Sequence, residues 1–236
     1  MLAIYKRELQ SYFFTAAAYV YMGVFLALGS VFYAVGCLAA RSSDLTGFLW
    51  NMGYLWMLLT PILTMHVYAG ERKSRTDQLL FTAPVSLPGI VLGKFLAGCT
   101  VLLCAVGLTG AYVLVTALYG RVYPGELLCG YLGFILQGCA FLAIDQWISA
   151  RSRSPLTAAV WGLGVNLALW LTDLLNSAVS VRLVNRALSA LSLYTRAAPF
   201  RQGQLSPANV LYFAAVIALA LFFTVRTLDA RRWSEG

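Results

Sequence analysis

The sequence predicts an all-α integral membrane protein with six transmembrane helices, and three observations lead there. Hydrophobic residues make up 60% of the chain and charged residues 11%, with a mean hydropathy of +0.75, outside the range of soluble domains. The apolar residues fall in six runs, at about 16–40, 48–69, 90–118, 127–148, 156–175 and 208–228. Each run supplies the roughly 20 residues that a helix needs to cross a ~30 Å hydrocarbon core. The runs are continuous rather than alternating, which argues against an outer-membrane barrel, and a helix satisfies its own backbone hydrogen bonds in lipid. Residues 1–236 are expected to form one transmembrane domain.

Before the first span, Tyr5, Lys6, Arg7 and Glu8 stand among Leu9, Tyr12, Phe13 and Phe14. Mixed charges and rings suit the headgroup level, so an interfacial helix is expected to lead into the first span. That span is too long for a signal-peptide core, although Ala34-Val35-Gly36-Cys37 loosely resembles a lipoprotein cleavage box.

Between the second and third spans lies a polar island, residues 70–85, holding Glu71, Arg72, Lys73, Arg75 and Asp77. It cannot cross a membrane and must face water beside one. Ser74-Arg75-Thr76-Asp77 has the form of a capping box and is followed by Leu79, Leu80 and Phe81, which predicts a short helix ending before Pro84. Ser86 is then placed to cap the third span, with Pro88 in its first turn. Ser154-Pro155 and Ser206-Pro207 give the same start signal to the fifth and sixth spans. The connection from about 176 to 207 is too long for a simple loop. Val184, Ala187, Leu188 and Leu191 follow helical spacing within it and predict an extracytoplasmic amphipathic helix between spans five and six, either on the membrane surface or dipping back into it.

Orientation follows from the basic residues, which are retained on the cytoplasmic side. With the N-terminus inside, eleven of the seventeen are cytoplasmic: Lys6, Arg7, Arg72, Lys73, Arg75, Lys94, Arg151, Arg153, Arg226, Arg231 and Arg232. A multi-pass protein of the plasma (inner) membrane with both termini in the cytoplasm is expected. The net charge of +8 is spread along the flanks of apolar spans rather than gathered in one patch, so it points to anionic lipid headgroups and not to nucleic acid. Five cysteines without a CxxC pair give neither a disulfide framework nor a zinc site, and the single histidine, His66, builds no metal site.

Polar residues at membrane depth are costly and therefore functional candidates. They include Asn51, Thr60, Thr64, Gln137, Asp145, Gln146, Asn166 and Asp173, with His66 near the end of the second span. Asp145 stands close enough to the cytoplasmic end to pair with Arg151, Arg153 or a neighbouring helix; a role in coupling or transport is the alternative. His66 is read either as a proton carrier or as a group satisfied by a carbonyl or water. Gly23 with Ala27, and Gly93 with Ala97, have the spacing that permits close helix packing. No recognisable catalytic motif is present, so the chain is not expected to be an enzyme itself.

Several segments together resemble the membrane subunit of an ABC-2 type transporter, within the branch of gliding-motility-type and multidrug-type permeases. They are Tyr5-Lys6-Arg7-Glu8-Leu9, then Glu71-Arg72 with Thr76, Leu79-Leu80 and Thr82-Ala83-Pro84-Val85, and Ile90-Val91-Leu92-Gly93-Lys94-Phe95. Gly130-Tyr131-Leu132-Gly133, Phe141-Leu142-Ala143-Ile144, Thr224-Val225-Arg226 and Arg231-Arg232-Trp233 complete them. Two departures stand out: Arg75 and Gln78 occupy positions that are commonly Gly and Glu, and Asp145-Gln146 replaces a small or apolar pair.

The resemblance implies a permease subunit, expected to be an exporter, that pairs with a second permease subunit as a homo- or heterodimer. It implies docking on a separate ABC ATPase subunit that carries the ATP and Mg, with none bound by this chain, and leaves room for an additional membrane or extracytoplasmic subunit. The island becomes a coupling helix, with Glu71, Arg72, Arg75 and Thr76 as polar contacts and Leu79, Leu80 and Phe81 as apolar anchors. Two other classes compete: an ion-coupled secondary transporter or channel using Asp145 or His66, and a membrane scaffold or lipid-modifying enzyme.

Overall fold

Ile4, Glu8 and Tyr12 recur at every fourth residue, and in helix α1 (Leu2–Phe14) they form one buried stripe. The computed structural model describes residues 1–74, 86–178 and 192–234, and every regular element among them is helical. The stripe of α1 lies along α5 (Leu87–Leu108). Gly93 permits the approach, since a Cβ there would stand 3.2 Å from Ile4 Cγ2 and 3.3 Å from the Met1 carbonyl oxygen. Of the small pairs singled out by spacing, Gly93 and Ala97 therefore pack, whereas a Cβ on Gly23 would meet nothing within 4 Å.

Six helical segments are long and apolar enough to cross a membrane: Ala18–Ala39, Leu45–Lys73, Leu87–Tyr119, Pro124–Arg151, Pro155–Leu175 and Pro207–Arg232. They correspond one for one to the six expected spans. The first is α2 (Ala16–Tyr33), which widens into a π-helical stretch at Ala34–Ala39. The second starts at Asp44, whose Oδ1 accepts from the Gly47 N–H and the Thr46 hydroxyl, both at 2.8 Å, and caps α3 (Leu45–Thr64). It then breaks at 65–68 and resumes as α4 (Ala69–Lys73).

The third span joins α5 to α6 (Gly110–Tyr119) through Thr109. Ser86 stands at the N-cap position of α5, as expected, with Pro88 in the first turn. The fourth span is α7 (Pro124–Arg151) and the fifth is α8 (Pro155–Ala178). Ser154 caps α8 by accepting from the Thr157 N–H at 3.3 Å. The sixth, α10 (Pro207–Ser234), begins at the proline that marked it in the sequence.

The core lies where α2, α3, α5 and α7 cross. Trp56 is fully buried there, stacks on Phe25 at 4.9 Å and donates its indole N–H to the Phe134 carbonyl at 3.1 Å. Gly138 makes room for it, since a Cβ at that position would come 2.9 Å from both Trp56 and Leu102.

The amphipathic helix expected around Val184, Ala187, Leu188 and Leu191 falls outside the described residues. The same connection does contain α9 (Leu193–Arg201), which buries Leu193, Tyr194, Ala197 and Phe200. Ser192 caps it by accepting from Thr195 N–H at 3.0 Å, and the Ser192 and Thr195 hydroxyls both donate to Asp173 Oδ1, at 2.8 and 2.6 Å. Phe200 packs against Gly133, which lies about 14 Å along α7 from its start. A helix this deep is inserted among α3, α7, α8 and α10 instead of resting on a surface.

Candidate functional site

The second span is interrupted twice, and each interruption frees backbone groups that lipid cannot satisfy. Pro61 has no N–H to give to the Met57 carbonyl one turn back. Asn166 Nδ2 reaches across from α8 and donates to that carbonyl at 3.3 Å. The same Nδ2 donates to Asp145 Oδ2 at 3.0 Å, and the Thr60 hydroxyl donates to the same oxygen at 2.6 Å while also reaching the Trp56 carbonyl at 2.6 Å. Asp145 thus pins α7 to α3 and α8. Of its expected partners, Arg151, Arg153 or a neighbouring helix, the structure uses the last, with donors from α3 and α8. Gly162 keeps α8 close, because a Cβ there would stand 3.0 Å from both Asp145 Oδ1 and Pro61 Cβ.

The second interruption, residues 65–68, separates α3 from α4. Ser149 of α7 places its hydroxyl oxygen 3.3 Å from the Tyr68 N–H and 3.4 Å from the Ala69 N–H, two of the donors left open at the start of α4. The Val67 carbonyl accepts from Lys94 Nζ at 2.7 Å. Gln146 Nε2 donates to the Tyr68 hydroxyl at 3.1 Å and to the Val91 carbonyl at 3.3 Å. The break is a built joint, held by α5 on one side and α7 on the other.

Lys94 sits about 11 Å into α5 with its side chain fully buried, a position that an unpaired ammonium would not tolerate. Its Nζ lies 2.8 Å from Glu71 Oε2 and 3.2 Å from Glu8 Oε1, and 4.9 Å from the centre of the Tyr68 ring. Arg7 completes the set from the wet side, 2.8 Å from Glu8 and 2.7 Å from Glu71. Among the described residues two cations and two carboxylates therefore balance. They connect α1, α4 and α5. The hydrogen bond from Arg7 to Glu8, reinforced by Glu71, holds the guanidinium further above its ordinary value despite partial burial.

The sequence-selected residues fall into separate groups in space. Glu71 enters the charge network, and Arg72 Nη1 donates to the Ser152 carbonyl at 3.4 Å, tying α4 to the end of α7. Arg75, Thr76, Leu79, Leu80 and Phe81 lie outside the described residues. Ser74 closes α4, its hydroxyl donating back to the Gly70 and Glu71 carbonyls at 3.1 Å. In α1, Arg7 and Glu8 join the network, the Tyr5 hydroxyl meets Thr100 Oγ1 at 2.9 Å, and Lys6 is exposed.

Among the membrane-depth candidates, Asp145 and Asn166 come together with Thr60. Thr64 bonds back within its own helix, to the Thr60 carbonyl at 3.0 Å and the Pro61 carbonyl at 3.4 Å. Gln137 is buried next to Gly53, whereas Asn51 and His66 are exposed, His66 within the break after α3. Lys94 entered the sequence reading as a cytoplasmic charge and within one of the resembling segments, with no partner named, yet it is the centre of the network. Ser149 was missed altogether. A lone lysine two turns inside an apolar run, with glutamates ahead of span one and at the end of span two, was the available signal for the first; a serine on a helix carries none.

Comparison with known proteins agrees with this architecture. Residues 54–225 match the family model described as ABC-2 family transporter protein. Over 118 residues the chain is 31% identical to the probable ABC transporter permease protein NosY of Pseudomonas aeruginosa, a match covering 48% of this chain and 43% of that protein. The chain thus matches less than half the length of that curated relative. The family model covers well over half of this sequence, and the chain belongs to the ABC-2 transporter family of membrane proteins.

Proposed function

We propose that the chain is the permease subunit of an ATP-driven exporter, works as a homo- or heterodimer, and docks on separate ATPase subunits through the segment between spans two and three. The observation that carries the reading is the balanced network of Arg7, Glu8, Glu71 and Lys94, which ties the interfacial helix and the first turn of that segment to span three. ATP and Mg act on the partner ATPase, whose closure would displace whatever is seated on it. A push on α4 cannot be absorbed locally, because Lys94, Ser149 and the Arg72 contact to Ser152 anchor the joint to α5 and α7. Such a joint supplies the discrete element that nucleotide could bias between two arrangements. With this end of the bundle facing the cytoplasm, both termini are cytoplasmic and α9 lies on the extracytoplasmic side, where a further subunit could contact the chain.

On this reading Asp145 is a strut for the helix around Pro61 rather than an ion carrier, since one of the two donors on its Oδ2, Asn166, also meets the Met57 carbonyl that Pro61 leaves open and the other, Thr60, belongs to the same turn. Affinity purification of the full chain from its own membranes, with ATP hydrolysis measured in the eluate, tests the proposal. An ATPase should co-elute and be lost with R72E/R75E. Proteoliposomes of the purified chain alone that move solute down an ion gradient without ATP would overturn it.

A further inference from the structure

A cavity of about 500 Å³ lies between the end of α7 and the start of α8, outside the coupling network. Its walls are Trp147 and Ile148 on one side and Trp161 and Val165 on the other, and its mouth carries Arg151 and Arg153. The chemistry is graded along the groove. Thr157, Trp161 and Val165 follow one another at i, i+4 and i+8 on α8, so the wall descends about 12 Å from the arginines toward the middle of the span.

One wall is preformed. The Trp147 indole N–H donates to Thr227 Oγ1 at 3.2 Å, and its ring leans on Phe223 at 5.8 Å, both on α10. The facing Trp161 is 67% exposed, and both arginines are exposed and in no ion pair among the described residues. The groove opens at the end of the bundle that bears α1 and α4, where Arg72 is bonded to the carbonyl of the lining residue Ser152.

We propose that this groove binds an anionic phospholipid, with its phosphate between Arg151 and Arg153 and the upper part of an acyl chain against Trp147, Ile148, Trp161 and Val165. Guanidinium groups at a membrane surface select negatively charged headgroups. Tryptophan suits the boundary at which headgroup meets chain. A soluble anion would use the arginines and leave the apolar walls uncovered, whereas a zwitterionic lipid would fill the walls and gain little from two cations. The site rests on these side chains alone and stands whether or not the chain couples to an ATPase.

The test uses the full chain purified in mild detergent, titrated with phosphatidylglycerol or phosphatidylcholine of identical acyl chains and followed by native mass spectrometry. Phosphatidylglycerol should bind preferentially. R151Q/R153Q should weaken it by about tenfold or more, and R151K/R153K should keep most of the affinity. Because both arginines are exposed, elution volume and tryptophan emission should be unchanged in these variants. Phosphatidylglycerol brominated in its acyl chains should quench the native protein more strongly than W161F, which places the chain in the groove. Equal affinity for the two lipids, or no effect of R151Q/R153Q, would overturn the proposal. So would displacement of phosphatidylglycerol by millimolar inorganic phosphate, which would assign the arginines to a soluble anion.

Discussion

At Pro61 the freed carbonyl of Met57 is met by the neutral amide of Asn166, while at residues 65–68 the Val67 carbonyl is met by the ammonium of Lys94. Both repairs serve the same helix, and both recruit a side chain from another span. They differ in what surrounds them. The deeper cluster holds one carboxylate, Asp145, with hydroxyl and amide donors and no cation paired to it among the described residues. The joint nearer the end of the bundle uses full charges in balance, with Arg7 more than half exposed and Lys94 fully enclosed. Depth explains the difference: a charge must be cancelled locally to stay buried, and Arg7 can bring that cancellation only where water is within reach.

The sharpest way to break this comparison is to remove the buried cation. Lys94→Met takes from Glu8 and Glu71 the buried one of their two shared cations, leaving Arg7 at the exposed side, and strips the Val67 carbonyl of its donor. Loss of one member of a buried pair costs about 3 to 5 kcal/mol, and the partial exposure of both carboxylates argues for about 3. Equilibrium unfolding in detergent would read it. The triple variant K94M/E8Q/E71Q should recover more than half of the loss. If the single and triple variants were equally unstable, size and packing at position 94 would be responsible, not charge.

A smaller effect belongs to the deeper repair. Asn166→Leu removes the donor from both the Met57 carbonyl and Asp145, and an unsatisfied buried acceptor costs about 1 to 3 kcal/mol. Pro61→Ala restores the N–H one turn after Met57, so N166L should be milder in that background. A double-mutant cycle with a coupling of about 1 kcal/mol would support the link. Strict additivity would show that Asn166 acts only through Asp145 and has no part in satisfying the Met57 carbonyl.

The contrast also shows what the sequence carries. Six spans were legible because burial in lipid leaves long apolar runs, and three helix starts because Ser with Pro one or two residues later marks a helix N-terminus locally, as at Ser86, Ser154 and Ser206. Pro61, which the sequence reading passed over, leaves the Met57 carbonyl without its helical donor. Its donor was not legible, because Asn166 is brought there only by the packing of α8 against α3. Asp145 was noticed as costly and its partners were sought among Arg151, Arg153 or a neighbouring helix; the donors came from the neighbouring helices, but which side chains they would be was not legible. Glu8 looked like an interfacial charge until α1 proved to lie on α5 with Lys94 beneath it.

Arg7 offers the finest test, since it touches the same two carboxylates as Lys94 at similar distances but keeps 55% of its side chain exposed. An exposed ion pair is worth about 0.5 kcal/mol and is screened by salt, whereas a buried one is not. Arg7→Gln should therefore lower stability by no more than about 0.5 kcal/mol at low ionic strength, and the difference should vanish near 1 M salt, where the screening length falls to about 3 Å. Unfolding of R7Q and K94M in parallel at the two ionic strengths checks this, with the K94M loss expected to persist. A salt-insensitive R7Q loss as large as that of K94M would mean that the four charges act as one closed unit whose outer member is as indispensable as its buried one. Depth would then no longer account for how the two repairs of the second span differ.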